Sequence, residues 1–398
     1  MPRLVGAIHV ATRAEDLGFE SGAEILGQAA RLEAAGRDLV RLDLGEPDLP
    51  TPPNVVEAAT RALRDGVTRY TPPGGLPDAR AAVAEHVSRT RGVDVEPRQV
   101  ILTSGSTQAL LIVALALVEP GDEVILPDPG YPLYPALVRL AGGVPLPVRL
   151  REEAGFRYDL DELAACVGPR TRVLLLNSPS NPSGGVLPAC DLEALADLAE
   201  RHRLAVLTDE VYGDLVCGGE RAPSILSVPG AEARTVCVDS FSKAFAMCGW
   251  RIGFMVAPPW LAARLEALML PCSLCAPSFA QVAAAEAVRS EESAAARRAI
   301  ARELAVRREA MVDGLNRIPG VRCHRPEGAF YALPDVRGAG GADDDAMARR
   351  LLERAGVVVL PGSIFGAGGA GHLRLSCGAP RDRIAEGLAR FGGLLGEA

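Results

Sequence analysis

From about residue 99 onward, short runs rich in Val, Ile and Leu alternate with longer stretches whose apolar residues recur every three or four positions. The short runs fit strands and the longer spacing fits helices. Strand candidates are Gln99–Thr103, Glu123–Leu126, Val144–Val148, Arg172–Leu176, Leu204–Thr208, Thr235–Val238 and Ile252–Val256. Helices Thr107–Val118, Asp191–His202 and Trp260–Leu270 fall between them, several opened by proline or a capping residue. Alternation of this kind builds a mostly parallel sheet wrapped by helices. The expected fold class is α/β, with a three-layer large domain around a mostly parallel seven-stranded sheet.

After Cys275-Ala276-Pro277 the pattern changes to a long Ala/Arg/Glu-rich segment, Ser278 to about Asn316, which predicts one or two amphipathic helices. A smaller α+β unit follows, with strands near Ala329–Leu333, Val357–Leu360 and His372–Ser376 and helices near Asp344–Ala355 and Arg381–Leu394. The first 45 or so residues hold one helical run, Ala23–Ala35, with too little apolar surface for a core of its own. The expected organisation is an N-terminal arm that forms part of the small domain over 1–48, a large domain over 49–290 and a small C-terminal domain over 291–398.

Composition narrows the function classes. A net charge of −8 and interspersed acids leave no basic stripe, which argues against a nucleic-acid surface. The longest apolar run, Ala109 to Val118, is too short to cross a bilayer and is closed by Glu119-Pro120-Gly121. The opening segment has neither a long apolar stretch nor a small-residue cleavage site, so the cytoplasm is the expected compartment. Nine scattered cysteines fit reduced, packed thiols better than a disulfide framework. Cys272-Ser273-Leu274-Cys275 stands without a second pair or a nearby histidine, and no metal is expected there.

One position stands out against that background. Of 42 Lys+Arg residues, Lys243 is the single lysine. Arginine replaces lysine wherever only charge is wanted, but a guanidinium cannot serve as a nucleophilic amine or shuttle a proton at neutral pH. The neighbourhood supports chemistry: Ser104-Gly105-Ser106-Thr107, Asn177 and Asn181, Asp209-Glu210-Val211-Tyr212 and Ser240 to Lys243 each follow a strand. In a parallel sheet those carboxyl ends share one rim, where ligands bind. Ser104-Gly105-Ser106-Thr107 joins a strand to a helix, so its N–H groups and hydroxyls suit a phosphate, although a plain Ser/Thr N-cap gives the same letters. Asp209 ends an apolar strand and requires a cation or good hydrogen bonds. A protonated ring nitrogen would supply that cation.

Three competing motifs fail. Ser240-x-x-Lys243 matches the serine–lysine pair of penicillin-binding enzymes, whose Lys-Thr-Gly element demands a second lysine. A Walker A loop needs its lysine after glycine, whereas Lys243 follows Ser242. Gly366-Ala367-Gly368-Gly369-Ala370-Gly371 precedes a strand instead of joining strand to helix, and is read as a flexible loop.

Ser240-Phe241-Ser242-Lys243 followed by Gly249-Trp250-Arg251-Ile252-Gly253 resembles the cofactor-lysine segment of fold-type I pyridoxal-phosphate aminotransferases, class I/II. Gly45-Glu46-Pro47-Asp48, Tyr70-Thr71-Pro72-Pro73-Gly74-Gly75, Asn177 to Gly184, Asp209-Glu210-Val211-Tyr212, Gly328-Ala329-Phe330-Tyr331 and Arg374-Leu375-Ser376 are similar to successive motifs of that family, in its order. The resemblance implies the aspartate-aminotransferase-like fold and pyridoxal 5'-phosphate held by Lys243 as a Schiff base. Once released, Lys243 would move the Cα proton as catalytic base and acid. The resemblance further implies that Asp209 keeps the ring nitrogen protonated and that Tyr212 and Asn181 bond the phenolic oxygen. Tyr131 would stack on the ring, and Ser106, Thr107, Ser240 and Arg251 would hold the phosphate. A residue matching Tyr70 reaches the phosphate from the neighbouring subunit, which implies a homodimer with shared sites. Arg374 and the Gly45 backbone would bind the substrate α-carboxylate.

The implied activity is exchange of an amino group between an L-amino acid and a 2-oxo acid by a ping-pong route. A same-fold lyase or synthase, performing elimination, replacement or cyclisation, would use the same residues. A ligand-sensing regulator with an aminotransferase-like domain needs a DNA-binding module, for which the residues before Gly45 lack size and basic charge. One dicarboxylate-specific subgroup has an arginine just before the stretch matching Cys272–Pro277, whereas Met269 to Cys275 carries no charge, which weakens an aspartate or glutamate side-chain assignment. Cys248 replaces a threonine frequent before Gly-Trp-Arg, and Tyr131 stands where some relatives carry tryptophan.

Overall fold

The computed structural model describes residues 20–218 and 221–396, together with Leu4–Val5, Ile8–His9 and Ala11. The start of the expected arm thus lies largely outside the described residues. Eight strands form the main sheet: β1 (Val100–Thr103), β2 (Glu123–Asp128), β3 (Val144–Arg151), β4 (Arg157–Tyr158), β5 (Thr171–Asn177), β6 (Ala205–Asp209), β7 (Thr235–Ser240) and β8 (Gly253–Val256). Across the sheet they run β1-β8-β7-β6-β5-β2-β3-β4. Neighbours from β7 to β3 pair in parallel, β8 is antiparallel to both β1 and β7, and β4 is antiparallel to β3. Seven strands coincide with apolar runs in the sequence. The eighth, β4, has two residues and is too short to show a hydrophobic period.

Burial explains why these segments are strands. β5 reads Thr-Arg-Val-Leu-Leu-Leu-Asn and is buried everywhere except Arg172, the near-continuous apolar run of a strand covered on both faces. Alternation sorts the neighbours: Val100 and Leu102 pack with helices Pro53–Arg64, Pro77–Arg91 and Ser278–Arg289, whereas Ile101 packs with helices Ser106–Leu117 and Pro259–Ser273 on the other face. Each such fully buried aliphatic side chain contributes roughly 1.5–3 kcal/mol. No helix among the described residues is long and apolar enough to cross a membrane.

A separate cluster gathers Ile25, Val40 and Leu42 with Leu304, Met311, Leu351 and Phe391. Helix Glu20–Ala34 therefore packs beside elements from the other end of the chain, and Val40–Arg41 pairs in parallel with Val357–Val358. A three-stranded antiparallel sheet of Tyr331–Ala332, Leu373–Ser376 and Leu360–Pro361 carries Arg374 opposite Leu360. The helix expected over Asp344–Ala355 is α-helical to Arg350 and then widens into a π turn over Leu351–Ala355. The glycine-rich loop 366–371 is held in place: the Gly368 N–H donates to Asp128 Oδ1 at 2.8 Å. Cys272 is exposed rather than packed, and all nine cysteines are free thiols.

The sheet register decides what meets at the rim. Because β8 runs antiparallel, its first residue, Gly253, pairs with Thr103 at the end of β1 and with Ser240 at the end of β7. Arg251, just ahead of β8, therefore reaches the same rim as the loops that follow the parallel strands. A Cβ at Gly253 would lie 3.0 Å from the Asp239 carbonyl and 3.0 Å from the Ser106 nitrogen, so close approach requires glycine there.

Candidate active site

The rim opens into a cavity of about 380 Å³ bounded by the sheet on one side and the Leu373–Ser376 strand on the other. Lys243 lies in the short turn Phe241–Ala244, which starts where β7 ends and is capped by the Ser240 hydroxyl accepting from the Ser242 N–H at 3.0 Å. Its Nζ donates to the Gly45 carbonyl at 2.6 Å and lies 3.7 Å from Cys248 Sγ. A primary amine thus stands in the cavity with no carboxylate bonded to it among the described residues.

Asp209 ends β6 and is 3% exposed. Its Oδ2 accepts from the Tyr134 hydroxyl at 2.8 Å and its Oδ1 from the Val211 N–H at 3.3 Å. No cation pairs with it among the described residues, and burial pushes its pKa up to about 7 despite those two donors. Arg374, from the opposite wall, is the converse case at 4% exposed. It donates through Nη2 to the Asp43 carbonyl, its guanidinium carbon sits 4.6 Å from the Tyr331 ring centre, and its buried Nε has no partner. No carboxylate pairs with it among the described residues. A buried charge without a counter-charge is costly, so both groups suit ligands of opposite sign.

A third feature lines the same cavity. Helix Ser106–Leu117 has no side-chain cap; its N-cap is Gly105, at φ 82°, a left-handed conformation that glycine adopts freely. The first-turn N–H groups therefore stay open beside the hydroxyls of Ser106, Thr107 and Ser240. Arg251 completes that end, with Nη1 donating to the Cys248 carbonyl at 2.9 Å. Donors of this kind, at a helix start, form an anion site. The Asn181 Oδ1 is buried at the cavity wall without a partner.

The cavity thus gathers Lys243, Asp209, Asn181, Tyr212, Tyr131, Ser106, Thr107, Ser240, Arg251, Gly45 and Arg374. Tyr70 is not among them and is 82% exposed. Four further residues line the cavity: Val211, Ser242 and Tyr331, which stood in the quoted motifs without a role, and Tyr134, which the sequence did not single out. Tyr331 shares a 2.9 Å hydroxyl–hydroxyl hydrogen bond with Tyr212, and burial raises the Tyr212 phenol well above its ordinary pKa. Tyr134 could have been found from its spacing: it lies three residues after Tyr131, on the same side of one helical turn.

Residues 37–391 match the family described as aminotransferase class I and II. The chain belongs to that family. This aminotransferase is 41% identical to the aspartate/prephenate aminotransferase of Thermus thermophilus over 374 residues, covering 93% of this chain and 94% of the relative. It is 37% identical to the aspartate aminotransferase of Pyrococcus horikoshii over 368 residues, covering 92% of each. Among solved structures, the Thermus thermophilus aspartate aminotransferase with maleate superposes with a TM-score of 0.90 at 38% identity, covering 97% of this chain and 99% of that one.

Proposed function

We propose that this aminotransferase uses pyridoxal 5'-phosphate to exchange an amino group between an L-amino acid and a 2-oxo acid by a ping-pong route, as a homodimer. The observation that carries the reading is one cavity lined by the Lys243 amine, a buried carboxylate, Asp209, and a buried guanidinium, Arg374, neither of the last two with a charged partner among the described residues.

The donor set fits the cofactor. Ser106, Thr107, Ser240 and Arg251, with the open N–H groups of the helix start, would hold its phosphate. Asp209 would hold a proton on its ring nitrogen, the cation that this carboxylate lacks. Asn181 and Tyr212 would bond its phenolic oxygen, and Tyr131 would contact its ring. When bound, the cofactor supplies an electron sink and carries the amino group between the two half-reactions. Lys243 Nζ takes the proton from the substrate Cα and returns it. Arg374 binds the α-carboxylate as a fork, with Gly45 beside it, and so fixes which substituent faces Lys243.

The exposure of Tyr70 supports its reaching the site of a second copy. The same reading divides the chain into a large unit over 49–290 and a small one over 291–398 with the arm 1–48. The packing of Ile25 and Leu42 against Leu304 and Phe391 supports that division.

The test is a half-reaction. Protein loaded with pyridoxal phosphate is mixed with single amino acids while the cofactor absorbance is followed. Stoichiometric conversion to the pyridoxamine form, reversed by a 2-oxo acid and absent in Lys243→Ala, is the expected result. Release of ammonia with the cofactor unchanged would instead identify a lyase.

A further inference from the structure

Next to the cavity lies a buried set of charges none of which lines it. Arg91, the last residue of helix Pro77–Arg91, is 3% exposed. It donates Nε to Glu210 Oε2 at 3.1 Å and Nη2 to Asp239 Oδ2 at 2.6 Å. Arg221 grips the same two carboxylates through Nη2, at 3.1 and 2.9 Å, and donates Nη1 to Asp214 Oδ2 at 3.0 Å. Arg297, from helix Glu291–Leu315, closes on Asp214. Three guanidiniums thus meet three carboxylates, with Ser224 donating to Glu210.

The two shared carboxylates are sequence neighbours of the site. Glu210 follows Asp209, and its N–H donates to the Val238 carbonyl at 2.9 Å. Asp239 precedes Ser240 and accepts the Ser240 N–H through Oδ1 at 2.7 Å. The cluster therefore ties the end of β6 to the end of β7, the two strands that present Asp209 and the Ser240–Lys243 turn.

The cluster also sets a field. Glu210 and Asp239 both raise the proton affinity of Asp209, after burial, the larger cause. The other groups facing Asp209 are the phenols of Tyr134, Tyr131 and Tyr212. Those facing the cluster are His86 and Cys237. Burial and the nearby guanidiniums push His86 down to about 3, and burial raises the Cys237 thiol, so both are neutral around pH 7. Among the described residues the balance rests on the arginines and carboxylates.

We propose that Arg91 and Arg221 are positioning residues for the reaction. By clamping Glu210 and Asp239 they hold Asp209 and the Lys243 turn on one cavity, and their positive charges oppose the effect of those two carboxylates on Asp209. The proposal rests on the reading of Asp209 as the partner of a protonated ring nitrogen.

Charge sign separates this role from simple scaffolding. The Asp209 carboxyl is titrated by carbon-13 NMR in cofactor-free protein, assigned by its loss in Asp209→Asn, for wild type, Arg221→Gln, Asp239→Asn and the double variant. Arg221→Gln should raise its midpoint by about one pH unit, a tenfold change in proton affinity, and Asp239→Asn should lower it by a similar amount. The double variant restores neutrality and should return the midpoint to the wild-type value. In parallel, the pH midpoint of the absorbance of bound pyridoxal phosphate should move in the same two directions. Midpoints that stay put, or that move the same way in both single variants, overturn the proposal. Removing one partner of a buried pair can unfold a protein. If Arg221→Gln does not fold, Asp239→Asn and the neutral double variant decide the matter by a downward shift and its reversal. Failure of the wild type to bind pyridoxal phosphate would sink the functional reading, while the Asp209 titration would still test the cluster.

Discussion

Replacing Asp209 by asparagine in the cofactor-free protein should stabilise it, and the gain should depend on pH. Asp209 is wholly enclosed, and its pKa rises from 3.8 to about 7, chiefly through burial. A carboxyl that binds its proton more tightly when folded than unfolded favours folding fully below the unfolded pKa. That contribution is lost as pH rises toward the folded pKa. The loss begins near pH 4, is nearly complete a little above pH 7 and is constant beyond. About three pH units at 1.36 kcal/mol each amount to about 4 kcal/mol. Asparagine removes the titration while keeping the shape: its Oδ1 can still accept the Val211 N–H, and the Tyr134 hydroxyl can turn to accept from Nδ2. For a chain of 398 residues, 4 kcal/mol corresponds to a rise of about 5 °C in Tm. The assay is thermal unfolding of both cofactor-free proteins from pH 4 to pH 9. The difference in Tm should climb between pH 4 and pH 7 and then level. A flat difference across that range would refute the idea that Asp209 is the strained carboxylate. With pyridoxal phosphate bound the order should invert, because the wild-type carboxylate then has its cation.

Arg374→Gln should lower kcat/KM for amino acids by about a hundredfold or more, since a buried charge pair loses one partner. Amines lacking a carboxylate should be little affected, and an equal loss for both would count against Arg374 as the carboxylate site. Tyr70→Ala and Lys243→Ala should each be impaired alone. Mixed under conditions of subunit exchange, they should recover up to about a quarter of wild-type activity, because each heterodimer holds one intact shared site. No recovery would refute sharing. Borohydride reduction of the loaded protein should label one side chain, Lys243, and a label elsewhere would refute its role.

How much of this could be read beforehand depended on whether the determining contacts were local. The sheet was legible because seven strands are apolar runs bounded by polar loops, and the rim was legible because those loops all follow strands. Arg251 reaches the rim by a different rule, the reversal of β8, which the spacing of residues does not encode. Tyr134 was missed because, within Leu133–Leu140, it looks like one more core side chain; its spacing from Tyr131 was the one local signal, and its bond to Asp209 is what sets it apart. Arg91 and Arg221 were invisible for a plainer reason. They lie far apart in sequence among dozens of other arginines, and nothing local marks two of them as buried. Tyr70 is a different case: its expected role depends on a second chain, and its exposure is all that one chain can express.

The two uncompensated charges of the cavity also constrain what can fill it. Asp209 and Arg374 come from different sheets, one from the main sheet and one from the small three-stranded sheet, and line the same cavity as the Lys243 amine. A simple anion would satisfy Arg374 and leave Asp209 unpaired. A simple cation at Asp209 would do the reverse, and one small ion placed at either residue would leave the open helix start at Ser106 unused. A phosphate-bearing ring with a basic nitrogen answers Asp209 and the helix start but leaves Arg374 free. The remaining demand is for a carboxylate on a molecule whose adjacent carbon comes within reach of Lys243. An α-amino acid or its 2-oxo counterpart meets it, and only that second component needs to exchange during turnover. The cavity therefore calls for one resident group and one group that comes and goes, which is the division of labour a ping-pong amino transfer requires.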